Sequence, residues 1–322
     1  MLIDPQRNYD IIGDVHGCAD SLKQLLELMG YKQHAGVWQH PERQVLFLGD
    51  LIDRGPQIRE TLDIVYRMYE AGHAQCIMGN HEYYALAWHT SAPEESQQLF
   101  VREHNSRHAR LWKETAEAFA SHPQEWRDYL AGFERIPLFL DGQRFRLVHA
   151  YWDNQLIERV TQMFGDGCVS RDFIRESAIK GSFAYQVFNR LLRGINLPLP
   201  EGQSVIGSDG LQRNTFRAKF WLEEKEPCTY ADIAFQPDPI PAQIAFKPLP
   251  RELTRQVIVH GSDKPILFVG HYWCKGMPGY IRPNLACLDY SAVNGGKLVA
   301  YRLGQETRLN SDKFVWVDGR KA

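Results

Sequence analysis

The chain has 322 residues, 44% of them hydrophobic and 24% charged, which excludes a disordered chain and allows one large core or two smaller ones. Its 37 Lys plus Arg nearly balance 39 Asp plus Glu, so no polymeric nucleic acid is expected as a partner, although a local basic pocket is allowed. No apolar run approaches the ~20 residues of a membrane span, the opening MLIDPQRNYD lacks a charged-then-apolar leader, and the six scattered cysteines form no CxxC pair; a cytoplasmic protein without membrane contact, disulfide framework or structural zinc is expected.

Along the chain, YDIIGD reads as a strand in which Tyr9, Ile11 and Ile12 lead into Gly13. ADSLKQLLELMGY places Leu22, Leu25, Leu26 and Met29 at helical spacing, with Asp20 as N-cap and Gly30 as the stop. QVLFLGD is a second strand, and PQIRETLDIVYRMYEAG a second helix with Ile58, Leu62, Val65 and Tyr69 on one face, ending at Gly72. AQCIMG is a short third strand, EYYALAWHT a helix, and residues 94–131 read as helical. PLFLDGQRFRLVHA predicts a hairpin turning at Asp141-Gly142 in a type I′ turn. The pattern weakens over 152–256: residues 171–194 suit one or two helices, and QPDPIPAQIAFKPLP, with five prolines, suits neither a regular helix nor a central strand. KPILFVGH, LACLDY and KLVAYRL are three more strands. Strand–helix alternation predicts an α/β fold with right-handed crossovers, and the hairpin and late strands make its sheets mixed. A single domain over 1–322 is expected, with 152–256 as an insertion or lid.

Four strand-like runs end in a polar cluster: IIGDVHG, LFLGDLIDRGP, CIMGNHE and LFVGHYW. A fifth, RLVHAYWD, ends similarly without the glycine. Glycine before the polar residue permits a sharp turn and close backbone approach, and such strand ends converge at the carboxyl edge of a sheet. The donors gathered there are Asp14, His16, Asp50, Asn80, His149 and His271. They mix carboxylate, imidazole and amide without thiolate, a set that suits one or two divalent ions such as Mn, Fe or Zn better than calcium. Taken singly, each residue has a bland reading as a cap, a turn residue or a satisfied core histidine, and Asp53-Arg54 as a local ion pair. All of those readings would have to hold together, each at a strand end.

The string GDVHG…GDLIDRGP…GNHE…VHA…GH resembles the calcineurin-like metallophosphoesterases. Within them it is most similar to the phosphoprotein-phosphatase branch of bacterial type, which also holds the symmetrical diadenosine tetraphosphate hydrolases. The resemblance runs from residue 10 to residue 272, extends weakly into CLDYSAVNGGKLVAYRL, and covers 152–256 poorly. It implies a four-layer α/β/β/α sandwich and a two-metal site. Asp14 and His16 would bind the first ion, Asp50 would bridge, and Asn80, His149 and His271 would complete the second, with Mn expected and Fe or Zn as alternatives. In such a site a bridging hydroxide attacks phosphorus in line. His81, adjacent to Asn80, would protonate the leaving alkoxide, Asp53 would hold its ring, and Arg54 and Asn80 would meet the phosphate. A second phosphate-binding arginine is expected between His149 and His271, with Arg213 and Arg217 as candidates.

The leading expectation is therefore a metal-dependent phosphatase of phosphomonoesters, with phosphoserine or phosphothreonine proteins as partners. The alternative is a symmetrical dinucleoside tetraphosphate hydrolase, in which Tyr151, Trp152, Tyr272 and Trp273 could stack on bases. RNA-end or cyclic-phosphate hydrolysis and a non-catalytic phosphate-binding module rank below these. Two departures bear on the choice. Ala150-Tyr151-Trp152 stands where eukaryotic protein phosphatases place Gly-Gly, and the Asp of DRGP, which the tetraphosphate hydrolases tend not to keep, is present.

Overall fold

The computed structural model describes residues 3–206, 212–222, 228–235, 240–257 and 259–319. The chain opens with β1 (Asn8–Ile12) and α1 (Ala19–Leu28), then a small hairpin of β2 (Lys32–His34) and β3 (Val37–Gln39) that the sequence reading missed. Next come β4 (Arg43–Phe47), α2 (Ile58–Glu70), β5 (Ala74–Cys76) and α3 (Asn80–His89). Helices α4 (Ser106–Phe119) and α5 (Pro123–Phe133) precede β6 (Phe139–Asp141) and β7 (Phe145–Val148). Helices α6 (Asn154–Phe164), α7 (Arg171–Glu176) and α8 (Phe183–Arg193) follow, then the short strands β8 (Asn196–Pro198), β9 (Val205–Ile206), β10 (Gln212–Arg213) and β11 (Thr215–Arg217). The last strands are β12 (Ile266–Val269), β13 (Leu285–Cys287), β14 (Asp289–Tyr290), β15 (Lys297–Leu303) and β16 (Phe314–Asp318).

Two mixed sheets pack face to face. In one, β1, β4 and β5 run parallel, β15 lies antiparallel to β1, and β14 and β16 pair with β15. In the other, β7, β12 and β13 are parallel, with β6 antiparallel on the edge. The period-2 alternation of strand side chains divides the core. Ile11, Leu46, Leu147, Phe268 and Tyr301 meet between the sheets, where the Phe268 and Tyr301 rings lie 5.3 Å apart. Their neighbours Ile12, Phe47, Val148 and Val269 face outward into the core that holds Leu22 and Leu25 of α1, Leu62 of α2, and Val187 and Leu191 of α8. This is the α/β/β/α arrangement. All five strands carrying the polar motifs are parallel within their sheet, so their carboxyl ends share one edge.

Three local expectations are corrected. Helix α1 is capped at Cys18 with no side-chain bond, and Asp20 lies in its first turn, paired with Lys23 at 2.9 Å, where a negative charge suits the helix N-terminus. The stretch 94–131 is not continuously helical: Gln97 takes a left-handed φ of 59°, and α4 starts only at Ser106, where the Asn105 side chain accepts from His108 N at 2.9 Å. The β6–β7 turn is not centred on Asp141-Gly142, neither of which has a positive φ; Gly142 N donates to Phe145 O at 2.9 Å, which moves the turn to Gln143-Arg144. A turn on that dipeptide would have set Leu140 against Gln143. The observed turn, two residues later, pairs Leu140 with Leu147, so that both reach the inter-sheet core.

Candidate metal centre

Asp50 is the hub. Its carboxylate Oδ2 lies 3.4 Å from His16 Nε2, 3.3 Å from His149 Nε2 and 3.9 Å from His81 Nε2, all on buried side chains. The other oxygen, Oδ1, accepts the His81 backbone N–H at 3.0 Å, which ties the end of β4 to the start of α3. Asp50, His149 and His271 offer one ligand atom each within a single cluster, as do His16, Asp50 and His81. Asp14 closes the ring, because its Oδ2 accepts the His271 backbone N–H at 3.1 Å. The six expected ligands, spread from residue 14 to residue 271, therefore meet.

Second partners set which ring nitrogen faces inward. His16 Nδ1 donates to Ile52 O at 2.8 Å and His149 Nδ1 to Leu48 O at 2.7 Å, leaving both Nε2 atoms aimed at Asp50. Asp14 Oδ1, His16 Nε2 and His271 Nε2 are buried without a hydrogen-bond partner. The Asn80 amide oxygen lies 3.2 Å from His149 Nε2 and 2.7 Å from His271 Nδ1. Without a cation the reversed amide would suit His271 Nδ1; with its oxygen inward, Asn80 is placed where the expected ligand role needs it. Burial, and then Asp289, push Asp14 well above the usual carboxylate range. Burial, followed by Arg54 and by Arg217 respectively, holds His16 and His271 well below the ordinary imidazole value, which keeps them neutral as ligation requires. For His149, burial acts downward, but Asp50 outweighs it and raises the group to about 10, so a proton here does the work of a cation. Buried carboxylates, inward-facing imidazole nitrogens and an inward amide oxygen fit divalent cations.

The backbone is strained at the same place. Of the eight described non-glycine residues with positive φ, five are expected site residues: His16, Asp50, Asp53, Arg54 and His271. Such conformations persist only where the surroundings impose them. The glycines are explained by crowding between strand ends. A Cβ on Gly79 would meet Asp50 N and Oδ1 at 2.3 Å, and one on Gly270 would meet Asp14 Oδ1 at 2.1 Å.

Beside the cluster, His81 Nδ1 lies 2.6 Å from Asp53 Oδ2, so its Nε2 points toward Asp50. A cavity of about 720 Å³ opens from Asp14, Asp50, Asn80 and His271. Among the described residues, Arg54, Arg107, Arg190, Arg193, Arg213 and Arg217 line it, against three carboxylates, Asp14, Asp50 and Asp289. Arg54 reaches it from an exposed position, and both candidate arginines do so from the short strands β10 and β11, Arg217 donating to His271 O at 3.4 Å. Of the four aromatics expected to stack on bases, Tyr151, Trp152 and Tyr272 are buried core; Trp273 alone lines the cavity, together with Tyr84, Tyr185 and Phe235.

Two residues escaped the sequence reading. Glu82 is fully buried and accepts the backbone N–H groups of Asp50, Leu51 and Gly79. Its signal was present, since a Glu three residues after the helix cap is one half of a capping box. Asp289, pushed up by burial, faces the cavity near Asp14 from a strand end with no distinguishing spelling.

The family profile of the calcineurin-like phosphoesterases matches residues 8–190. The chain belongs to the calcineurin-like phosphoesterase family. Within that family, the asymmetrical bis(5'-nucleosyl)-tetraphosphatase PrpE of Halalkalibacterium halodurans is 45% identical over 74 residues, 23% of this chain and 30% of that protein. PrpE of Bacillus thuringiensis is 32% identical over 149 residues, covering 44% and 56% respectively. The chain thus spans under a third of the first relative and just over half of the second. A solved cold-active protein tyrosine phosphatase shares the fold, with a TM-score of 0.52 at 16% identity over 96% of this chain and 81% of that one. No described helix of this phosphoesterase is long and apolar enough to cross a membrane.

Proposed function

We propose that the protein is a divalent-metal-dependent phosphatase of phosphomonoesters with poor, alkoxide leaving groups, as in phosphoserine or phosphothreonine. The observation that carries this reading is the His81–Asp53 pair at 2.6 Å beside the metal cluster, since only a leaving alkoxide needs so well-held an acid. Asp14, His16, Asp50, Asn80, His149 and His271 would hold two ions, for which Mn is the first choice and Fe or Zn the alternatives. When bound, those ions supply Lewis acidity toward the phosphoryl oxygens and a nucleophile at neutral pH. Arg54 presents a planar fork to the non-bridging oxygens, with Asn80, Arg213 and Arg217 around them. His81 Nε2 delivers its proton to the leaving oxygen while Asp53 keeps the ring aligned through Nδ1. Six free cysteines fit a reducing, cytoplasmic setting.

A second reading, hydrolysis of a dinucleoside tetraphosphate, draws support from the arginine-lined cavity and from the activity in the relatives' names. Those relatives are asymmetrical enzymes, so nucleoside tri- and monophosphate products are as much to be tested as the symmetrical diphosphates. The test is a product-resolved panel on Mn-loaded protein: a phosphoseryl peptide, an aryl phosphate and diadenosine tetraphosphate. Phosphate release from the peptide supports the first reading. Nucleotide products with no peptide turnover would replace it by the second.

A further inference from the structure

We propose that Thr115 is the positioning residue of the His81–Asp53 pair, acting on the leaving-group proton through Asp53; the inference rests on the acid role just assigned to His81. Thr115 lies in the middle of α4, outside every strand-end motif, and is completely buried. A mid-helix threonine ordinarily returns its hydroxyl to a carbonyl of the preceding turn. Here the hydroxyl reaches out of its helix and makes two bonds to one residue. It accepts the Asp53 backbone N–H at 3.1 Å and donates its proton to Asp53 Oδ1.

The proton assignment leaves no freedom. An N–H can only donate and an ionised carboxylate can only accept, so the single hydroxyl proton goes to Oδ1. That leaves Oδ2 to His81 Nδ1. The two carboxylate oxygens are thereby divided between the threonine and the imidazole, and the carboxylate cannot rotate without breaking one bond or the other. The constraint is needed because Asp53 and Arg54 both take left-handed φ, 65° and 67°, on the turn after Asp50. A turn so shaped does not by itself fix the Asp53 side chain. Helix α4 supplies the missing anchor, and it meets the substrate space with the same stripe: Arg107 and Leu111, two turns and one turn before Thr115, line the cavity.

The experiment compares Thr115→Val, which keeps the shape and removes the hydroxyl, with Thr115→Ser, which keeps the hydroxyl. Thr115→Ala stands in for the valine variant if that one does not fold. On Mn-loaded protein, kcat for an alkyl phosphate should fall ~10- to 100-fold in Thr115→Val, the range for removal of a group that orients another by hydrogen bonding. KM and metal content should hold, kcat for an aryl phosphate with a good leaving group should fall much less, and Thr115→Ser should recover turnover. Adding Thr115→Val to Asp53→Asn should cause no further loss. Independently of turnover, the low-field proton resonance of His81 Nδ1–H in metal-free protein with labelled histidine should be present in wild type and Thr115→Ser, and move upfield in Thr115→Val. Equal losses on both esters, failure of the serine variant to recover, additivity with Asp53→Asn, or an unmoved resonance overturns the proposal. If instead the resonance moves as expected while His81→Ala shows no leaving-group dependence, the acid role fails and the placement of the ring by Thr115 remains a fact about the fold only, which also overturns the catalytic claim.

Discussion

Glutamine in place of Glu82 should unfold the protein at a lower temperature. The carboxylate receives Asp50 N at 2.8 Å and Gly79 N at 2.9 Å on Oε2, and Leu51 N at 2.7 Å on Oε1. Burial, and then Asp50, push this acid up, while the Leu51 and Asp50 N–H groups oppose the shift. A carboxamide has one oxygen. If it keeps the two bonds of Oε2, its NH₂ faces the Leu51 N–H, and one buried donor is orphaned at ~1–3 kcal/mol. The two surviving bonds drop from charged to neutral acceptors, a loss offset by relief of the burial and Asp50 repulsion that push the acid up. The total is about 1–3 kcal/mol, and at roughly 2 °C per kcal/mol for a chain of this size the midpoint falls by about 2–6 °C. Thermal and guanidinium unfolding of metal-free protein measure this directly. A Glu82→Gln midpoint no lower than that of wild type would refute the reasoning, because it would mean that the strand-end N–H groups find other acceptors.

The same geometry yields further expectations. His81→Ala should keep its metal and lose ~10²–10⁴ in turnover of alkyl phosphates, as checked by elemental analysis and steady-state kinetics on esters of graded leaving-group pKa. Asp50→Asn removes the carboxylate that three imidazoles share; metal retention after desalting should fail, and turnover should fall by more than the ~100-fold that loss of a supporting partner costs. In metal-free protein, Asp50 overrides burial and raises His149 from 6.5 to about 10. The folded-state value is the higher one, so this pair stabilises the metal-free fold fully below pH 6.5 and is lost as pH rises through about 10. Metal must displace that proton, so calorimetry in buffers of different ionisation enthalpy should detect proton release on loading near neutral pH, and affinity should rise with pH. No proton release would show that His149 is not a ligand.

The sheet strands and the convergence of the motif side chains were legible because their rules are local. Ile11-Ile12-Gly13 and Phe47-Leu48-Gly49 write strand, close approach and donor within a few residues, and parallel pairing then brings the donors to one edge. Residues whose role depends on a distant partner were not legible. Thr115 looks like any helix residue until Asp53, 62 positions earlier, is seen against it. Asp289 acquires meaning only beside Asp14, and the β6–β7 turn misled because the inter-sheet core overrode its dipeptide preference. Tyr151 and Tyr272 looked like stacking platforms, yet their neighbours wanted apolar volume more than the cavity wanted rings.

Two features of the site make opposite demands on the substrate. A tetraphosphate bridge breaks to release a phosphate oxygen, already stable as an anion, and would leave His81, Asp53 and Thr115 with nothing to protonate. A simple monoester has one phosphoryl group, which the proposed ions and Arg54 would satisfy, and would leave Arg107 and Arg193 facing water. Arg190 is already committed to Asp153 at 3.0 Å, and among the described residues Arg193 bonds the neutral Asn189 oxygen at 2.7 Å. The acid is the more expensive construction, since it fixes a strained turn, a buried carboxylate and a helix, whereas exposed arginines cost a surface little. Construction on that scale persists where the proton matters, which is why the alkoxide-leaving monoester ranks first and the arginines are assigned to charge on whatever carries it.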